Sequence, residues 1–189
     1  MLFTFSCSST GLKSFVPKAG QKGFFEISES DGIKIELRQL SEQVLTERIG
    51  RINNPFISPV SFIESNKLNT FSICVVNNRG EAIVIVLKEI EMQIGGRVIY
   101  PLSSFHLAEF WRPRIEKQKE YRKWNMSQLE TNIKKYNMND REIILPGKEL
   151  KKYLVFKGEL PTYGKADLYI PVKNTNGSII HIFKFSMNG

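Results

Sequence analysis

The chain is 189 residues long, 41% hydrophobic and 24% charged, which suits one globular domain of ordinary composition. A chain of this size buries roughly 70% of the surface its unfolded form exposes, so its core needs neither disulfides nor a structural metal. The net charge of +8 permits anionic partners such as nucleic acid, acidic lipid or lipopolysaccharide and requires none of them. Its basic residues are spread along the whole chain, many in stretches mixed with glutamate. Two cysteines, Cys7 and Cys74, are too few for a disulfide framework. An apolar run of roughly 18 residues, the length needed to span a bilayer, is absent from the sequence.

The first residues have a distinct pattern. A short apolar segment, Leu2 to Phe5, runs into Ser6-Cys7 and then into small polar residues. This is similar to the end of a bacterial lipoprotein signal, in which a cysteine after a small residue becomes lipidated and forms the mature N-terminus. Only six residues precede Cys7, and Thr4 stands where leucine is usual. A secretory signal needs a charged region and about 7–15 apolar residues, so the pattern implies that the signal begins upstream of Met1. Residues 1–23 are then expected to be a signal remnant and a flexible tether, rich in Ser, Thr, Gly and Lys.

From Phe24 onward the grammar is that of strands. Ile33, Ile35 and Leu37 alternate with Lys34, Glu36 and Arg38 after an Asp31-Gly32 turn, the period of a half-buried strand. Leu40, Val44, Leu45 and Ile49 sit near helical spacing over a stretch that fits one helical turn or a bulged edge segment. Asn53-Asn54-Pro55 and Ser58-Pro59 interrupt regular structure, and Phe56, Ile57, Val60, Phe62 and Ile63 are expected along a sheet edge, where proline is tolerated.

Phe71, Ile73 and Val75 alternate with Ser72 and Cys74; Cys74 is expected to be a buried free thiol. After an Asn77–Gly80 turn, residues 82–87 are apolar on both parities, as in a central strand covered on both faces. Ile90, Met92 and Ile94 follow, and Gly95-Gly96 ends the run. Further on, Glu142 to Lys157 reads as strand, Pro146-Gly147 turn, strand. Ala166, Leu168, Ile170 and Val172 mark another strand, Asn174–Gly177 a hairpin turn, and residues 178–186 a last strand with apolar residues on both parities.

Between the middle strands, residues 103–140 interleave aromatic and basic residues. Arg114 to Lys123 has helical character. Ser127 with Glu130 reads as a capping box, after which Leu129, Ile133 and Tyr136 share one helical face. The fold expected is an all-β, immunoglobulin-like sandwich of about seven or eight strands over residues 24–189, with this helical insertion lying on it.

From Phe71 to about Phe185 the chain resembles a group of bacterial immunoglobulin-like lipoprotein domains. The resemblance rests on an alternating strand ending in Val75-Val76-Asn77 and an apolar strand leading to Ile90-Glu91-Met92. It also rests on the Leu145-Pro146-Gly147-Lys148 turn before Leu154-Val155-Phe156, and on Gly164, Ala166 and Leu168 at alternate positions. It implies a cell-envelope protein, periplasmic or at the outer membrane, with no catalytic residues to transfer.

Chemistry-bearing residues are few. His106 and His181 are the two histidines, and metal-ligand spacings, nucleophile elbows and phosphate-cradling loops are absent from the sequence. His106 with Cys74 is the one base and nucleophile pair the composition offers; a buried cysteine and a surface histidine explain both residues without it. The expectation is a protein that is not an enzyme and uses no cofactor or metal. Its candidate ligand- or partner-binding residues are Trp111, Arg112, Arg114, Tyr121, Arg122, Lys123 and Trp124. Such a set suits base stacking with phosphate pairing, an acidic lipid or glycan, or aromatics that anchor the insertion while basic side chains reach solvent. The partners expected are the membrane, through a lipid on Cys7, and a protein or anionic envelope component. A cytoplasmic module binding anions or nucleic acid through residues 110–136 is the alternative.

Overall fold

The structure, a computed structural model, describes residues 24–60, 66–158 and 165–188. Cys7 with its flanks, Phe62, Ile63 and most of the loop before Ala166 lie outside the described residues. Ten strands and three α-helices follow in the order β1 (Phe25–Ser30), β2 (Ile33–Leu40), α1 (Glu42–Ile49), β3 (Leu68–Asn77), β4 (Ile83–Val86), β5 (Glu91–Ile94), β6 (Arg97–Ile99), α2 (Ser104–Lys117), α3 (Met126–Tyr136), β7 (Arg141–Ile144), β8 (Glu149–Lys157), β9 (Lys165–Asn174) and β10 (Ile179–Asn188).

All strand pairings between these elements are antiparallel, in two sheets. One sheet runs β1-β2-β3-β8; the other has six strands, with β9 between β10 on one side and β4 and β5 on the other. β4 and β5 are one strand interrupted by a 3-10 turn at Leu87–Glu89. Val84 stands opposite Lys173 and Glu91 opposite Tyr169, so the interrupted strand carries extra residues that bulge out. β7 pairs with the first half and β6 with the second, so both lie along one edge. Breaking one long strand into two contributes to a total of ten strands, above the seven or eight expected from hydrophobic runs alone.

The sheets close over one core. Ile33, Ile35 and Leu37 of β2, Phe71, Ile73 and Val75 of β3, and Leu154 and Phe156 of β8 face Leu168, Ile170 and Val172 of β9 and Phe183 and Phe185 of β10. The inner face of the last strand, open in the sequence, is the odd parity: Phe183 and Phe185 are fully buried while Ile182, Lys184 and Ser186 are exposed. Ile83, Val84 and Ile85 of β4 are all buried, as an apolar run on both parities implies.

A third layer lies on the outer face of the four-stranded sheet. Leu40, Leu68, Tyr153 and Val155 turn outward there and bury a second core with Leu45 of α1, Leu107 and Trp111 of α2, and Leu129 and Ile133 of α3. Two excursions build this layer: residues 41–60 after β2, which include α1, and residues 100–140 between β6 and β7. Phe56 and Ile57 are buried beneath it rather than along a sheet edge, while Val60 is 66% exposed.

Local chemistry explains the helices. Ser41 caps α1, its hydroxyl accepting from the Val44 amide, and Gly50 ends it in a left-handed conformation. Ser103 caps α2, which starts ten residues before the Arg114 expected from composition; Leu107 and Trp111, one turn apart, carry its buried face. Asn125, not Ser127, caps α3, and Ser127 lies inside the first turn with its backbone carbonyl accepting from the Thr131 hydroxyl. The asparagine two residues earlier is the better-placed acceptor because its carbonyl reaches the Gln128 amide at 3.1 Å.

The Asp31-Gly32 turn joins β1 and β2 with both residues at positive φ, and Gly95-Gly96 does the same for β5 and β6, the backbone a two-residue hairpin of matching twist requires. Pro146-Gly147 acts differently. β7 belongs to the six-stranded sheet and β8 to the four-stranded one, so the turn is an arch between sheets and not a hairpin. Asn77, fully buried at the end of β3, pins it. The Gly147 amide donates to the Asn77 carbonyl at 2.7 Å and the Asn77 amide to the Lys148 carbonyl at 3.0 Å. The Asn77 side-chain amide donates to the carbonyls of Glu81 and Ile144, both at 2.9 Å.

Candidate functional site

The aromatic and basic residues singled out in the sequence do meet, on the helical layer. Trp111 is at the centre and fully buried. Its indole N–H donates to the Pro55 carbonyl at 3.0 Å. Trp124 stacks on it with ring centroids 4.8 Å apart and planes 28° from parallel. Tyr121 and Phe110 meet it edge-on at 5.4 and 5.6 Å. Tyr121 is buried, and its hydroxyl accepts from the Val60 amide at 2.7 Å. Burial, the larger influence, raises the phenol's pKa against the lowering effect of that hydrogen bond. The ring faces that would serve as a stacking platform are therefore mostly taken by one another; of the four, Phe110 and Trp124 keep partial exposure.

The four basic residues divide into two pairs. The Arg114 guanidinium lies over the Phe110 ring, 3.9 Å from its centroid, and donates to the Asn66 side chain at 2.9 Å and to the Phe110 carbonyl. Burial lowers its pKa. Arg112 faces solvent and is held by carboxylates, 2.8 Å from Glu109 and 3.5 Å from Glu130; the hydrogen bond to Glu109 is the main reason its pKa is raised. Both of these arginines are used within the layer. Arg122 and Lys123 are exposed on the segment between α2 and α3.

Residues that sequence reasoning passed over as a loop hold the platform together. Asn53, at φ 59°, accepts the Asn125 amide on its side chain at 2.6 Å and the Asn132 side-chain amide on its backbone carbonyl at 2.8 Å. Asn54 is fully buried; its amide donates to the carbonyls of Leu45 and Gly50, and its carbonyl accepts from the Phe56 amide. The signal that could have found them is the Asn-Asn-Pro sequence itself, since asparagine tolerates a left-handed backbone and bonds neighbouring main chain.

Two other groupings bear on chemistry. Ser30 Oγ lies 3.3 Å and Asp31 Oδ2 3.5 Å from His181, both at Nδ1. A nucleophile–base–carboxylate relay needs serine and carboxylate on opposite ring nitrogens, so this trio is a surface hydrogen-bond cluster. The pair His106 and Cys74 is dispersed. His106 Nδ1 sits 2.9 Å from Ser103 Oγ at the start of α2, whereas Cys74 stands on β3 opposite Glu36 and Lys151. Cys74 is partly exposed, not buried: with Phe71, Ile73 and Val75 turned into the core, its parity sends it to the outer face. Among the described residues no cluster of three or more His, Cys, Asp or Glu could hold a metal ion. No described helix is long and apolar enough to cross a membrane.

No family model matches the chain, and no curated protein matches it. Among solved structures it is similar to the yjhA protein from Bacillus subtilis, at 8% identity over 86% of this chain and 95% of that one, with a TM-score of 0.42. It is similar also to a FixG-related protein from Vibrio parahaemolyticus, at 7% identity over 84% of this chain and 97% of that one, with a TM-score of 0.37. Likeness at this level carries no statement about activity.

Proposed function

We propose that this chain is a non-enzymatic binding domain of the bacterial cell envelope, built on an immunoglobulin-like sandwich and tethered through a lipid on Cys7. The scaffold reading is supported by strand pairing. β2-β3-β8 corresponds to strands A, B and E of that fold, and the interrupted strand β4/β5 with β9 and β10 to C, F and G. β6 and β7 take the place beside C where variable-type domains add a strand. The observation that carries the binding role is the helical layer: a platform pinned by the Trp111 cluster and by Asn53 and Asn54, presenting Arg122 and Lys123 to solvent. The tether rests on the sequence around Cys7. The test is incorporation of labelled palmitate into the protein expressed with its upstream gene sequence. Label that disappears in Cys7→Ser supports the tether, and an unlabelled wild type removes it.

A second reading, an anion- or nucleic-acid-binding module, draws on the same two exposed cations and the +8 charge. Titration with heparin and with single-stranded oligonucleotide at increasing salt separates the two. Affinity that falls by several log units per log unit of salt, and that weakens in Arg122→Glu/Lys123→Glu, favours the module; no binding at low salt leaves the envelope reading.

A further inference from the structure

The edges of the two sheets are managed unequally. β8 is covered: its carbonyls at Val155 and Tyr153 accept from the amides of Leu102 and Met138, at 2.7 and 2.9 Å, where the 100–140 excursion leaves and returns. Lys152, on the inward parity of that strand, sends its ammonium to the Lys135 carbonyl at the end of α3. β1 turns Glu26 toward the sandwich interior, opposite Leu37, where burial raises the carboxyl's pKa. An inward charge is a recognised guard against edge pairing. β6 and β7 are three and four residues long, too short to template another strand well. β10 is ten residues long, and among the described residues it pairs with β9 alone. Apart from an irregularity between Ile179 and His181, its register is continuous through Asn188.

The charge on this strip is also unusual for a chain of +8. Lys184 is 3.0 Å from Asp167 and Lys173 is 2.6 Å from Glu89, so two of the three lysines of the outward β9–β10 rows are matched by carboxylates; the third, Lys165, lies at the far end of the strip, opposite Asn188. Beside them Ile179 and Ile182 are about half exposed, and Pro171 lies directly across from Ile182. A strongly basic molecule meeting its own copy is repelled over most of its surface; here the repulsion is cancelled locally and apolar side chains remain. An antiparallel edge is self-complementary about a two-fold axis.

We infer that β10 is a homodimerisation edge: it pairs antiparallel with β10 of a second copy and joins the two six-stranded sheets. Ile182 lies at or beside the two-fold axis, because a register centred on Lys184 would set two ammonium groups opposite each other, which is unfavourable. This inference rests on the strand edges and is independent of the binding role proposed above.

Sedimentation of the full chain from low micromolar to sub-millimolar concentration tests it. The expected result is a monomer–dimer equilibrium. Ile182→Lys, which alters an exposed side chain and leaves the core intact, weakens dimerisation by at least about tenfold, since a symmetric interface counts the change twice. Hydrogen exchange gives a readout on the unaltered protein: β10 amides slow as concentration rises while exposed loop amides do not. A monomer at every concentration overturns the inference. So does a dimer that Ile182→Lys leaves unchanged while β10 exchange stays independent of concentration; that pattern places the interface elsewhere.

Discussion

At the scale of single residues, the aromatic side chains that drew attention in the sequence pack chiefly against one another. Trp111 illustrates why. It is fully buried, stacked on Trp124, and bonded through its indole N–H to a loop carbonyl from a different excursion of the chain. Trp111→Ala is therefore expected to lower the unfolding free energy by about 3–5 kcal/mol, the usual cost of removing a large aromatic from a packed core. Trp111→Phe should recover part of this but not all, because the Pro55 carbonyl loses its donor. Urea unfolding of both variants checks the order; equal stability of Trp111→Phe and wild type would mean that the indole N–H contributes nothing. That this segment is both helical and aromatic-rich was legible in the sequence. Which face of each ring is occupied was not, since it depends on how α2 folds back against the segment that follows it, and the indole's acceptor, the Pro55 carbonyl, lies in a stretch that read only as a break in regular structure.

At the scale of elements, the junction around Asn77 joins β3, β4, β7 and β8. Its side-chain amide satisfies two carbonyls, at Glu81 and Ile144, and its carbonyl oxygen accepts the Arg79 amide at 3.0 Å. Buried main-chain groups left without partners each cost about 1–3 kcal/mol. Asn77→Ala is expected to lose about 2–3 kcal/mol on that basis. Asn77→Asp should not rescue it, because a carboxylate supplies acceptors where donors are needed. A shift in the denaturant midpoint at unchanged slope is the measurement. The Pro146-Gly147 turn was visible from its residues, but its partners were not. The same dipeptide serves a hairpin or an arch, and the choice falls to the Asn77 junction 70 residues earlier in the chain.

At the scale of the whole molecule, the two cores share strands. β8 turns Leu154 and Phe156 into the sandwich and Tyr153 and Val155 into the helical layer, and β3 does the same with Phe71 and Leu68. The two cores thus share backbone, and neither can lose its packing without disturbing the strands of the other. Unfolding is expected to be a single cooperative transition. Both tryptophans lie in the helical layer, so their fluorescence reports that layer while far-ultraviolet circular dichroism reports the sheets. Coincident urea curves bear this out; fluorescence loss at lower urea than the circular dichroism change would show that the layer unfolds on its own.

The sequence by itself determined what is local. Alternation at period two placed the inner faces of β2, β3 and β9, and Asp31-Gly32 and Gly95-Gly96 set tight turns because they accept positive φ. The segment 103–140 stood apart by composition. Tertiary structure alone decided what depends on distant partners. It set which sheet β7 and β8 join and broke one strand into β4 and β5. It drew residues 41–60 into the helical layer, and it divided the four candidate cations into two held by partners within the layer, Arg112 and Arg114, and two exposed between α2 and α3, Arg122 and Lys123. The physical reason is the same throughout: periodicity and turn chemistry act within a few residues, whereas buried carbonyls, ring faces and guanidinium groups are satisfied by whatever the fold brings to them.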